Sequence, residues 1–287
     1  MIMFVSTRKI QFLISKEIQY RFSLKIGKKL RKVMFVIFFL VSFSIVTNTH
    51  ALDPDLIAAW TFEEGKGETT ADITGKGHTG KLIGNPIWVE GKYGKGLEIV
   101  DWLQYMLVED ANDLHFGNTD FTFVAWIYIY KFVPGMYHSI LCKRDPDSPP
   151  KSCVRWSIYV NGRMQELALE PGGFFYSNTE LEERRWYHVG VVKTKEKATL
   201  YLNGKRNGWE PREMNESLTS EEPLYIGVQY IFHNWQVWND TLNGIIDEVG
   251  IYNRALTDEE MASVIWSVDV KPSGKIETSW GYIKSKY

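Results

Sequence analysis

The chain is short of cysteine, of helical pattern and, beyond its first fifty residues, of basic charge, and each shortage narrows the field. Two cysteines in 287 residues leave no cysteine-rich metal site. Neither Cys142 nor Cys153 has a histidine at ligand spacing or a base beside it, which argues against metal and nucleophilic roles. They end two strand-like runs, Ser139 to Cys142 and Cys153 to Val160, separated by the turn formers Asp145-Pro146-Asp147-Ser148-Pro149-Pro150. A hairpin there would set them face to face, so a Cys142–Cys153 cross-strand disulfide is expected in an oxidising compartment. No internal repeat is visible, and one helix is predicted in the whole chain. His188 has no serine or cysteine nucleophile beside it and reads as a core or hairpin histidine rather than a base.

What is present begins with a leader. Lys25, Lys28, Lys29, Arg31 and Lys32 form a basic run, Val33 to Val46 is uncharged and apolar, and Thr49-His50-Ala51 ends in small residues. This is the pattern of a secretory signal, and residues 1–51 are assigned to it. The apolar run is shorter than the roughly twenty residues of a membrane span; an uncleaved anchor is the alternative. Nine of the 33 Lys+Arg and one of the 35 Asp+Glu fall in this leader, so the remainder carries 24 against 34. That acidic balance argues against nucleic acid and anionic lipid as partners and is compatible with cations or neutral sugars; the alternative reading is solubility alone. A secreted, periplasmic or cell-surface location is expected, with no membrane association apart from the leader.

Residues 52–268 read as one all-β domain and 269–287 as a C-terminal tail of unassigned role. Strand candidates recur between turn signals: Leu56 to Phe62, Gly96 to Val100, Gln104 to Val108, Phe121 to Tyr130, Val154 to Val160, Trp186 to Val192, Ala198 to Leu202, Leu224 to Val228 and Ile245 to Tyr252. Asn161-Gly162 and Asn203-Gly204 predict two-residue hairpins, because both positions of a type I′ turn need positive φ. Phe121 to Tyr130 is apolar on both faces, which requires a central strand with one face on a core and the other under a loop or ligand. Trp60, Trp126 and Trp186 lie within strands and are expected in the core.

In residues 241–260, period-two alternation puts Ile245, Asp247, Val249 and Ile251 on one face and Ile246, Glu248 and Tyr252 on the other. Thr257 precedes Glu260 by three residues, a capping box that starts a helix running to about Trp266. Asp247 is a charge on an apolar face and needs a cation or several donors.

Seven segments, in order, carry a resemblance. They are Leu56 to Gly65, the loop Asp72-Ile73-Thr74-Gly75-Lys76-Gly77-His78-Thr79-Gly80, Gly91 to Leu97, Phe121 to Trp126, Trp186-Tyr187-His188-Val189, Leu200-Tyr201-Leu202-Asn203-Gly204, and Thr241 to Glu260. Together they resemble the LamG-like (laminin G, concanavalin A-like) jelly-roll family over nearly all of residues 55–266. The resemblance implies an antiparallel two-sheet jelly-roll sandwich with one short C-terminal helix. It also implies a sugar- or surface-binding module, often with a structural calcium ion and usually without catalysis.

Asp72 in the glycine-rich loop, Asp247 in the last long strand and Glu64 are the candidate calcium ligands, since calcium takes six to eight oxygens from such loops and acids. Lys76, where the family has asparagine, supports the other reading, in which it pairs with Asp72 or Asp247. For a sugar, the segment Tyr230 to Asp240, expected as a loop, offers Trp235, Trp238 and His233, with Trp209 as a further candidate; a structural lid is the alternative. Glycosidases of this fold need two facing carboxylates, whereas Asp247-Glu248 and Glu109-Asp110 are adjacent and alternate faces. A non-catalytic carbohydrate-binding module is therefore expected, the alternative being a protein-interaction or adhesion domain anchored by Trp235 and Trp238.

Overall fold

The computed structural model describes residues 52–143, 154–161, 164–170, 176–208, 212–213, 220–233 and 236–264. The chain divides into two compact units, residues 1–49 and 50–287; the described residues belong to the second. In chain order its first strands are β1 (Leu56–Trp60), β2 (Thr69–Thr70), β3 (Gly80–Ile83), β4 (Ile87–Glu90), β5 (Lys95–Ile99) and β6 (Tyr105–Val108). A 3-10 turn, Asn112–Leu114, leads to β7 (Phe121–Ile129), β8 (Tyr137–Lys143), β9 (Val154–Asn161) and β10 (Met164–Glu170). Then come β11 (Trp186–Lys193), β12 (Lys197–Leu202), β13 (Lys205–Arg206), β14 (Arg212–Glu213) and β15 (Leu224–Ile226). Strands β16 (Val228–His233), β17 (Gln236–Thr241) and β18 (Gly244–Tyr252) and helix α1 (Asp258–Ser263) complete the order.

Two antiparallel sheets carry the fold. The larger runs β13-β12-β11-β7-β18-β5-β4, with β1 on β18 and β14 on β12; the smaller runs β10-β9-β8-β15-β6-β3-β2. As the two-faced apolar pattern requires, β7 is central: Phe121, Phe123, Ala125, Ile127 and Ile129 point into the main core with Met106, Val108, Trp156, Ile158, Leu224 and Ile226 of the smaller sheet. Phe123 of one sheet and Trp156 of the other stack at 6.3 Å, the contact that closes the sandwich. The opposite face of β7 is apolar because it too is covered. Val124, Val192, Tyr201 and Tyr252 form a second cluster with Met261 and Val264 of the α1 end. Gly190 makes that approach possible, since a Cβ there would collide with the Met261 methyl.

Local signals are met closely in places. Asn203 and Gly204 take φ of 51° and 75°, the doubly positive turn, and Leu202 pairs with Lys205 across it. Thr257 Oγ1 accepts from Glu260 N at 3.2 Å while Glu260 Oε2 accepts from Thr257 N at 2.8 Å, so the capping box forms as expected. Residues 265–287, including Trp266 at the expected helix end and the tail, lie outside the described residues.

Two expectations need correction. Tyr230 to Asp240 is not a loop: β16 and β17 form a separate two-stranded hairpin in which Ile231 pairs with Trp238 and His233 with Gln236. The face assignment of β18 also fails beyond Asp247. Three residues of β18 advance while two of β7 do, from Asp247 opposite Trp126 to Gly250 opposite Val124. Glu248 is the inserted residue, at φ 49°, and this bulge switches the phase. Val249 and Ile251 consequently join Ile246 in the main core, and Asp247 faces the other way.

Candidate functional site

The face of the smaller sheet turned away from the core gathers the chemistry. Alternation on β6 and β15 sends Met106, Val108, Leu224 and Ile226 inward and leaves Tyr105, Leu107 and Tyr225 half-buried on the outside. The Tyr105 and Tyr225 rings lie 5.8 Å apart, inclined at 56°. In the next strands Cys142 is in register with both Tyr225 and Arg155, so Arg155 belongs to the same face. Its guanidinium sits 4.0 Å from the Tyr137 ring centroid, within the range of a cation–π contact.

The hairpin lies against β8 and completes this corner. Arg155 Nη1 donates to Gln229 Oε1 at 2.7 Å, and Tyr137 N donates to Asp240 Oδ1 at 3.2 Å. Burial pushes the Asp240 carboxyl up, against the Tyr137 N–H and the Arg155 charge, which pull it down. Beneath lie Ser139 and Ser157, paired in register, whose buried hydroxyls have no hydrogen-bond partner among the described residues. Buried hydroxyls are ordinarily satisfied; two side by side leave donor and acceptor capacity for a hydroxyl-bearing group or water. None of Tyr105, Tyr137, Arg155 or Tyr225 was singled out from sequence. The available signal was Tyr225 standing between Leu224 and Ile226 on β15.

The residues expected at the site are placed unevenly. His233 and Trp238 lie on the hairpin strands, on the element that packs against this face. Trp235 and Trp209 lie outside the described residues, as does Cys153. Cys142 is buried on β8.

The three candidate calcium ligands are not assembled into a shared shell, and no cluster of three or more His, Cys, Asp or Glu able to hold a metal occurs among the described residues. Each acid has its own donors instead. Asp72 Oδ1 accepts from Ala59 N and Thr74 N, and its Oδ2 from His78 N; Thr74 Oγ1 donates to it at 2.7 Å. Glu64 accepts from Ala71 N at 2.7 Å and from the Thr70 hydroxyl. Asp247, fully buried, accepts from Tyr93 N at 2.9 Å and Glu248 N at 2.8 Å. Burial and then the neighbouring Glu248 charge raise its pKa well above the usual carboxylate range, opposed by those N–H donors and that of Lys92. Lys76 pairs with neither aspartate: its ammonium donates to the carbonyls of Pro54 and Leu56, both at 2.9 Å.

Of the tryptophans expected in the core, Trp60 is fully buried, with its N–H on His78 O at 2.8 Å. Trp126 is buried as well, on the face of β7 away from the main core and opposite His188, whereas Trp186 is only half-buried, opposite Tyr128. His188 is buried, and neither ring nitrogen has a hydrogen-bond partner among the described residues.

Two antiparallel sheets closed over one core, with an aromatic and hydrogen-bonding outer face, define a lectin-type jelly-roll sandwich. The laminin G family described as the concanavalin A-like lectin/glucanases superfamily matches residues 104–262, more than half of the chain. The chain belongs to that family. Among solved structures, the binding domain of Paraclostridial Mosquitocidal Protein 1 aligns with a TM-score of 0.56 at 16% identity, over 74% of this chain and 52% of its own. Domain 4 of AbnA, a GH43 extracellular arabinanase from Geobacillus stearothermophilus in complex with arabinotriose, aligns at 0.54 and 19% identity, over 73% of this chain and 98% of its own. The Trypanosoma rangeli sialidase in complex with sialic acid aligns at 0.56 and 15% identity, over 75% of this chain and 33% of its own. This chain thus spans about half of the first and a third of the last, and at such identities the likeness is one of fold. No curated protein matches the sequence.

Proposed function

We propose that the protein is a non-catalytic carbohydrate-binding module, exported through its leader to the cell surface or beyond. The observation that carries this reading is the outer face of the smaller sheet: the Tyr105–Tyr225 pair beside Arg155, Gln229 and Asp240, with two serine hydroxyls beneath that have no partner among the described residues. Aromatic faces hold the C–H side of a sugar while a few fixed polar groups select its hydroxyls. The strands that carry His233 and Trp238 lie against that face; Trp235 and Trp209 are kept as candidate contacts on sequence grounds. The arabinotriose complex of the AbnA domain is a precedent on this fold. Asp240 is engaged by the Tyr137 N–H and Arg155, which suits a positioning role better than acid–base chemistry.

The test is a neutral-oligosaccharide array on residues 52–287, with calcium and with chelator, followed by calorimetry on any hit. Tyr225→Ala should weaken binding about tenfold, the equivalent of ~1.4 kcal/mol, with an unchanged far-UV spectrum. Absence of any glycan ligand, with saturable binding of a protein partner sensitive to Trp238→Ala, would transfer the surface to the adhesion reading.

A further inference from the structure

The outer face of the larger sheet is covered only in part. Helix α1 and its flanks pack on Val124 and Tyr252, and Lys92 holds its ammonium 4.6 Å from the Trp126 ring centroid and 5.8 Å from that of Tyr93. Beyond Lys92, Tyr128, Tyr130 and Trp186 remain half-buried. Outward positions on an antiparallel sheet ordinarily carry polar side chains, so three adjoining aromatic rings call for an occupant.

Their angles decide its kind. Tyr128 and Trp186 are in direct register, with centroids 5.5 Å apart and planes inclined at 53°. Tyr128 and Tyr130 are 5.7 Å apart at 80°. A sugar chain stacks on rings that share a plane, and these rings are tilted or edge-to-face and offer no such platform; the parts of their π faces left uncovered favour a compact cation instead. A carboxylate completes the corner. Glu98 and Tyr128 both pair with Ile245 in the same row, and Tyr130 donates its hydroxyl to Glu98 Oε1. Among the described residues no cation lies over any of these three rings.

We propose that Tyr128, Tyr130, Trp186 and Glu98 form a binding site for a small alkylated ammonium group of the choline type. Alkyl groups make the ion weakly hydrated and match the ring walls, while Glu98 supplies the opposite charge. The same sheet face already accommodates an ammonium over Trp126, from Lys92. The excess of acid over base beyond residue 51, 34 against 24, favours a cationic ligand over an anionic one. The site lies on the opposite sheet from the Tyr105–Tyr225 surface, so neither proposal depends on the other.

The experiment is a titration of residues 52–287 with choline chloride at low ionic strength, followed by tryptophan fluorescence and by chemical shifts. The control is 3,3-dimethylbutanol, the uncharged isostere. Saturable choline binding is expected, with the isostere about two- to thirtyfold weaker, the range of a cation–π contribution. Trp186→Leu and Glu98→Gln should each weaken choline by a similar factor, and Glu98→Gln, which keeps an acceptor for Tyr130, should narrow the gap between choline and betaine, whose carboxylate Glu98 repels. Phosphatidylcholine vesicles separate the sources: displacement of choline by vesicles assigns a lipid headgroup, and choline binding without displacement assigns a free solute. Equal affinity for choline and its neutral isostere, or no saturation in a folded wild-type domain, would overturn the proposal. So would choline binding unchanged in both variants.

Discussion

His188 is a single side chain with a calculable effect on acid stability. It lies against Trp126, ring centroids 5.4 Å apart, and burial pushes its pKa down from 6.5 to about 3. The unfolded chain therefore takes up a proton that the folded chain refuses. Stability from this residue is complete above about pH 6.5 and is lost as pH falls toward 3, at roughly 1.4 kcal/mol per pH unit. His188→Phe keeps a ring of similar size and removes the proton site. Its stability between pH 6.5 and 4, measured by urea unfolding, should fall less steeply than that of wild type; parallel curves would show that His188 does not titrate this way. Asp247 makes the complementary case. Its sequence signal was a charge in need of a cation or donors, and donors are what it has. Asp247→Asn would turn an NH2 group toward the N–H of Tyr93 or Glu248 and should cost about 2–3 kcal/mol. A neutral result by chemical denaturation would mean the turn at Tyr93 does not depend on the carboxylate.

Among the elements, helix α1 is six residues long and too short to persist alone. Its cap and its packing must hold it. Thr257→Ala removes the hydroxyl that accepts the Glu260 N–H and should lower stability by about 1 kcal/mol, read as a lower urea midpoint with an unchanged slope. Thr257→Asn should largely restore it. This helix was legible because its capping box is local, as was the Asn203-Gly204 turn and the two-faced apolar run of β7. Strands β2, β3 and β4 were not found. They are two to four residues long and lie toward sheet edges, where pairing imposes extension on sequences with little preference of their own. Nor could the alternation in β18 reveal a bulge at Glu248, because positive φ at a glutamate follows from pairing with β7 and not from the residue. The Tyr230 to Asp240 segment was misread through its polar His233-Asn234-Trp235-Gln236 centre, although β-formers flank it on both sides. The Tyr105, Arg155 and Tyr225 surface was illegible for a related reason: its members come from β6, β9 and β15, and only the register brings them to one face.

For the domain as a whole, one cation joins the beginning to the end. Arg254 Nη2 meets Asp53 Oδ2 at 2.6 Å across 201 positions of sequence, its Nε lies 3.3 Å from Asp55 Oδ2, and its Nη1 meets Glu260 Oε2 at 2.7 Å. Asp53 precedes β1 and Glu260 belongs to the α1 capping box, so the guanidinium fixes both ends against the edge of the larger sheet. Asp53 is buried and Glu260 is half-buried, which makes these pairs stronger than surface ion pairs. Burial alone would raise the Glu260 pKa, but hydrogen bonds from Arg254 and from the Thr257 N–H outweigh it and hold it below its usual value. A depressed folded pKa contributes stability above the unfolded value, near 4.5, and loses it as pH falls through the folded one. Arg254→Met should therefore cost about 2–3 kcal/mol at neutral pH, because it leaves Asp53 buried beside Glu260 without a counter-charge. It should also shrink the loss of stability as pH falls below about 4.5. Arg254→Lys should recover only part, since a single ammonium cannot reach three carboxylates as the planar fork does. Protease sensitivity of the Leu52–Asp55 segment should rise in Arg254→Met, detected as trimmed N-termini by mass spectrometry before global unfolding sets in. Wild-type resistance in that variant would show that β1 pairing with β18 suffices to hold the start of the domain.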